Sequence, residues 1–160
     1  MRHLLLLAGL ATIASVPAGA QTVIDETLAT VNGQVIMASD VRQARQLKLV
    51  RIGDASDAAI LFELENRVLE LAQVGRSALP DPSADEVKSR RQEWEASLGP
   101  GVTPAALLAG SGMKDADLTT WLRDDVRIQK YLKQLFGSQA DPAAAIGKWI
   151  LDLRKRAGLK

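Results

Sequence analysis

The chain contains no cysteine, and its single histidine is His3. Without cysteine there is no disulfide staple, no thiolate nucleophile or metal ligand, and no lipid-bearing residue to follow an export leader. Once the first residues are set aside there is no imidazole either. Ser-His and Cys-His nucleophiles are then excluded, and carboxylates are left as the only plausible metal ligands. A surplus of charge is also missing. The net charge is +1, and removing Arg2 with the first 20 residues leaves basic and acidic side chains equal in number. Phosphate binding needs basic groups in excess to displace counterions, so nucleic acid is not an expected partner. The same balance gives no support to adhesion on anionic lipid. Aromatics make up only 4% of the residues. No catalytic centre, cofactor or bound metal is expected.

What is present begins with Arg2 and His3, an apolar run from Leu4 to Val16, and the small-residue exit Pro17-Ala18-Gly19-Ala20-Gln21. That order is the pattern of a secretory signal, with cleavage expected after Ala20. The run is too short to span a bilayer. The body, residues 21–160, has the length of one ordinary domain and must be stabilised by packing alone. It opens on a polar lead-in. Residues 28–37, LATVNGQVIM, then place two short β-forming runs around Asn32-Gly33. Both members of that pair tolerate positive φ, which predicts a type I′ hairpin.

Everything after the hairpin punctuates as helices. Ser39 is placed to cap one from Asp40 to about residue 52, with Gly53 as the stop. Ser56 or Asp57 opens a longer one to about Gly75. Its apolar stripe, Ile60, Leu64, Val68 and Leu71, is opposed by Phe62 and Leu69, so it needs cover on two sides and belongs at the centre. Prolines 80 and 82 prevent continuation. Ser83-Ala84-Asp85-Glu86 is a capping box, opening a helix with Val87, Trp94 and Leu98 on one stripe. Thr103-Pro104 starts a short helix that stops at Gly110-Ser111-Gly112. From Asp115 to Phe136 the apolar residues fall within one arc, and Asp141-Pro142 caps a last helix over 142–157. The expected fold is mainly α, five or six helices with a small N-terminal β-hairpin.

Several strings together resemble a known family. Ala29-Thr30-Val31-Asn32-Gly33-Gln34-Val35-Ile36, followed by Ser39-Asp40-Val41, is similar to the opening of the N-terminal domain of SurA-type periplasmic chaperones. Further on, Ser83-Ala84-Asp85-Glu86-Val87 after a proline-rich break, the short helix at Thr103–Leu108, Gly112-Met113, and Leu118-Thr119-Thr120-Trp121-Leu122-Arg123 through Ile128 resemble the helices of that domain in order. Trp149-Ile150-Leu151-Asp152-Leu153-Arg154-Lys155-Arg156-Ala157 looks like the family's terminal segment, which packs back on the N-terminal domain. The resemblance covers residues 28–157. It departs from the family between Gly137 and Asp141, where members usually insert parvulin-type prolyl isomerase domains and this chain has only a short join.

The resemblance implies an ATP-independent periplasmic holdase that shields unfolded, outer-membrane-bound chains and has no isomerase activity. Its partners would be unfolded polypeptides held in an apolar groove, with a second copy of the chain, a homodimer, as a further partner to consider. A periplasmic accessory subunit for one dedicated protein is the alternative. An enzyme, either a residual isomerase or a Ser-Lys or carboxylate hydrolase, is the third class, and no serine stands in a G-x-S-x-G frame to support it. Candidate client-binding residues are Leu107, Leu108 and Met113, on a short glycine-bounded segment, together with Trp94, although each tryptophan also suits a core. Asp125 falls mid-stripe and needs a buried partner, for which Arg91, one turn from Val87 and Trp94, is the candidate. The run Arg154-Lys155-Arg156 is read as a helix end complementing the macrodipole.

Overall fold

The hairpin forms where the Asn-Gly pair puts it. In the computed structural model, which describes residues 25–50, Gly53 and 56–159, strand β1 (Thr27–Val31) pairs antiparallel with β2 (Gln34–Met37). Asn32 and Gly33 both take positive φ, 50° and 81°, as a type I′ turn requires. The expected leader over 1–20, and residues 21–24 of the lead-in, lie outside the described residues. Val31 and Ile36 point inward and are buried, and the rest of the sheet is largely exposed.

Helix α1 (Ala38–Gln46) follows directly and differs from the expected helix at both ends. Ser39 is not the cap. The helix starts at Ala38, and the Met37 N–H donates to Asp40 Oδ2 at 2.7 Å. Ser39 turns instead to Asp25, donating from both its amide and its hydroxyl, and those hydrogen bonds hold the Asp25 carboxyl below its ordinary range. The helix also stops at Gln46 rather than near residue 52. Leu47 and Leu49 are both buried. Two residues apart on a helix lie about 200° apart, so both could not face one core. The chain breaks at Lys48, whose φ is +50°, and both leucines turn inward.

Helix α2 (Asp57–Val74), capped by Ser56, is the axis of the molecule and touches α1, both strands and the last two helices. Ile60, Leu64, Val68 and Leu69 are all buried on it, which is the two-sided cover its sequence demands. Helix α3 (Ala84–Ser97) opens on the capping box: the Ser83 hydroxyl accepts from the Glu86 amide, and Glu86 accepts from the Ser83 amide. Helix α4 (Pro104–Ser111), capped by Thr103, ends at Gly112 in the left-handed region, φ 72°. It lies against α1. Helix α5 (Asp115–Phe136) buries Leu118, Leu122, Val126 and Ile128 and packs chiefly on α3. Helix α6 (Pro142–Arg156), capped by Asp141, returns to α2 and α5.

Leu153 enters the core there and Trp149 packs on Tyr131 and Phe136, and one buried polar side chain adds to the return. Arg154, only 5% exposed, donates to Asn66 Oδ1 at 3.0 Å, pairs with Glu65 at 2.9 Å and lies over the Phe62 ring. All three partners are on α2. Arg154 therefore does more than complement a helix end. Among the described residues the architecture is mainly α, six helices with one two-stranded hairpin, and no helix is long and apolar enough to cross a membrane.

Candidate functional site

Packing α1, α2 and the first half of α5 around the hairpin leaves a cleft of about 360 Å³. Its floor is apolar: Leu49, Leu64, Val68 and Leu71 come from the core side. Strand β2 contributes Val35 and Ile36, and Met113 and Trp121 close the opposite wall. The rim is polar, with Gln34, Asp40, Gln43, Asp117, Thr120 and Asp124. Val35 is 46% exposed at this mouth, the highest exposure of any large apolar side chain lining it. A groove of comparable size, about 410 Å³, runs between α3 and α5, but Asp85, Glu86, Glu93, Lys130 and Lys133 line it. Charged walls of both signs suit water better than an apolar ligand.

The wall behind the cleft is held by a buried charge cluster. Asp125 accepts from Arg67 on α2 and from Arg90 on α3, the latter through Nε at 3.1 Å and Nη2 at 2.7 Å. Arg67 also donates to the Trp121 carbonyl at 2.8 Å and stacks on the Trp121 ring, 3.8 Å from its centroid. The Trp121 indole N–H is buried with no acceptor among the described residues, and the guanidinium stack helps to orient the ring. Beside this cluster lies Glu70, lining a smaller cavity of about 190 Å³ with Arg67, Arg90 and Asp125. Burial raises its carboxyl to about 7; Arg67 opposes the rise, and Glu63 and Asp125 add to it.

The expected pair of Arg91 with Asp125 is not the one formed. Arg91 turns outward, to Asp115 at 2.6 Å and Glu95 at 3.1 Å, and these carboxylates raise its own affinity for the proton. Asp125 takes Arg90 and Arg67 instead. The reason is geometric: on an ideal helix Arg90 and Arg91 flank the Val87–Trp94–Leu98 stripe by roughly 60° and 40° on opposite sides. Both flanks meet α5, at different depths: the Arg90 side reaches its buried middle at Asp125, and the Arg91 side reaches only its exposed first residue, Asp115.

The client-contact candidates separate in the same way. Trp94 is 1% exposed, and its indole N–H donates to the Leu47 carbonyl at 2.7 Å, so it is a core residue and is withdrawn as a contact. Leu107 and Leu108 are half-buried against the core and do not line the cleft. Met113 does. Trp121, expected in the core, faces the cleft in part, and β2 supplies a wall that no sequence motif marks. Its signal was visible only as alternation: Ile36 inward, Val35 outward.

One enzyme-like spacing is present, Ser111-Gly112-Met113-Lys114, the S-x-x-K frame of serine–lysine enzymes. In those enzymes serine and lysine share a helical turn. Here Gly112 is left-handed and separates them, Ser111 ending α4 and Lys114 preceding α5. The Ser111 hydroxyl donates to the Leu108 carbonyl and accepts from the Met113 amide, which is capping work. Among the described residues no group of acidic side chains is arranged to hold a metal ion.

No protein-family model, curated protein or solved structure matches the chain.

Proposed function

We propose that this protein is an ATP-independent holdase of the periplasm that shields unfolded polypeptides, outer-membrane-bound chains among them, by taking apolar segments into the cleft between β2 and α5. The observation that carries this reading is the cleft's composition. An apolar floor with a flexible Met113 and a half-exposed Val35 offers adaptable burial, and the polar rim keeps the open state soluble. Each contact is weak, so many client sequences can share the site. The resemblance of residues 28–157 to the SurA-type domain points the same way.

The test is a panel of unrelated proteins diluted from denaturant without nucleotide. Near-stoichiometric amounts of the chain should suppress their aggregation, and Val35→Glu or Met113→Glu should weaken that suppression several-fold at unchanged far-UV circular dichroism. Failure against every client, with co-purification of a single folded protein, would replace the holdase reading by a dedicated accessory role. Acceleration of proline-limited refolding by catalytic amounts would replace it by an enzyme.

A further inference from the structure

The cleft carries a charge that the whole molecule does not. Among the described residues it is lined by three carboxylates, Asp40, Asp117 and Asp124, against one guanidinium, Arg67, and that guanidinium is already engaged by Asp125. Asp124 has a partner in Arg127, and Asp40 accepts the Met37 backbone N–H, with no ion-pair partner among the described residues. Asp117 is exposed, and its carboxylate has no ion-pair partner among the described residues. In a chain of net charge +1 this is a local acidic ring around an apolar floor.

The second feature is the open edge of the hairpin. Strand β2 lines the cleft and β1 does not, so the unpaired side of β2 is the one that opens on it. In a hairpin closed by a two-residue turn, the flanking pair Val31/Gln34 is hydrogen-bonded to itself, and the next pair, Thr30/Val35, is not. The Val35 N–H and C=O accordingly point away from β1, toward an incoming strand.

We infer that the cleft selects extended segments in which apolar side chains alternate with lysine or arginine, seated as a third strand on the β2 edge. This rests on the holdase reading and narrows its client class. A strand's period of two sends alternate side chains to opposite faces, so apolar ones enter the floor while cationic ones stay in water. Long lysine and arginine stems can then reach the carboxylates on either wall, Asp40 on α1 and Asp117 and Asp124 on α5. Complementary charge would raise the rate of encounter and discriminate against acidic segments.

The experiment uses the full chain and three fluorescein-labelled peptides of about eight residues: alternating Val-Lys, alternating Val-Glu, and Val-Lys with one central amide N-methylated. Anisotropy should show Val-Lys binding at least about tenfold more tightly than Val-Glu at low salt, the gap closing near about 0.5 M salt. N-methylation should weaken binding severalfold. Asp117→Lys, a surface change, should shrink the Lys/Glu preference with folding unaltered. Equal binding of the two charged peptides would overturn the charge selection while leaving the cleft as a client site. A preference untouched by Asp117→Lys would place the acidity elsewhere and overturn it too. Indifference to N-methylation would overturn strand addition. If no peptide binds although aggregation is suppressed, the inference fails and the holdase reading survives on another surface; if neither occurs, both fail.

Discussion

Glu70 shows what a single buried group does to the pH response. Its carboxyl is raised from 4.5 to about 7, chiefly by burial, so the folded state holds this proton more tightly than the unfolded chain does. Below about pH 4.5 both states are protonated and the contribution to stability is fully present. Between there and pH 7 the unfolded chain releases its proton first, and stability falls as pH rises. Above about 7 the deficit is constant. Glu70→Gln should match the parent near pH 4.5 and exceed it near pH 8 by about 2 kcal/mol once partial exposure is allowed for. Urea midpoints across that range check this, and a gain that does not grow with pH would contradict it. The burial behind it could not be read from sequence, because Glu70 lies on a helix covered on two sides and only the neighbours decide which polar residue is enclosed.

Three helices meet at one carboxylate. Asp125 on α5 receives Arg67 from α2 and Arg90 from α3, and all three side chains are nearly enclosed. Removing the shared partner leaves two like charges in a poorly solvated space, which is worth about 3 to 5 kcal/mol of destabilisation. Asp125→Ala should therefore shift the urea midpoint strongly. Arg91→Ala, which breaks exposed pairs to Asp115 and Glu95, should change stability by less than about 1 kcal/mol. Equal losses in the two variants would show that the clamp is not buried in solution. The caps at Ser56, Ser83, Thr103 and Asp141 were legible from sequence because each is a local bond within three residues. The start and end of α1 were not, because Asp25 recruits Ser39 and the core claims both Leu47 and Leu49.

At the scale of the whole molecule, α6 closes the structure by returning to α2, and Arg154 is its buried polar contact there, beside the apolar packing of Leu153 and Trp149. Arg154→Ala would leave Glu65 without its guanidinium and strip the cation from Phe62. The expected loss is about 3 kcal/mol or more, and amide exchange should quicken along α6 before it does in α2 or α5. Uniform quickening across all helices would mean that α6 is not an independent unit of opening.

The sequence alone determined the order and type of the elements, since periodicity, caps, the Asn-Gly turn and the proline breaks are short-range signals carried by neighbouring residues. It also determined that Asp125 needs a cation, because its place mid-stripe is a property of one helix. Which arginine answers, that Trp94 is sealed while Trp121 borders a cleft, and that acidic side chains from α1 and α5 converge around β2 were decided only by the tertiary structure. A helix sequence fixes the angles of its own side chains, but which of those angles finds a neighbour depends on where the other helices come to rest.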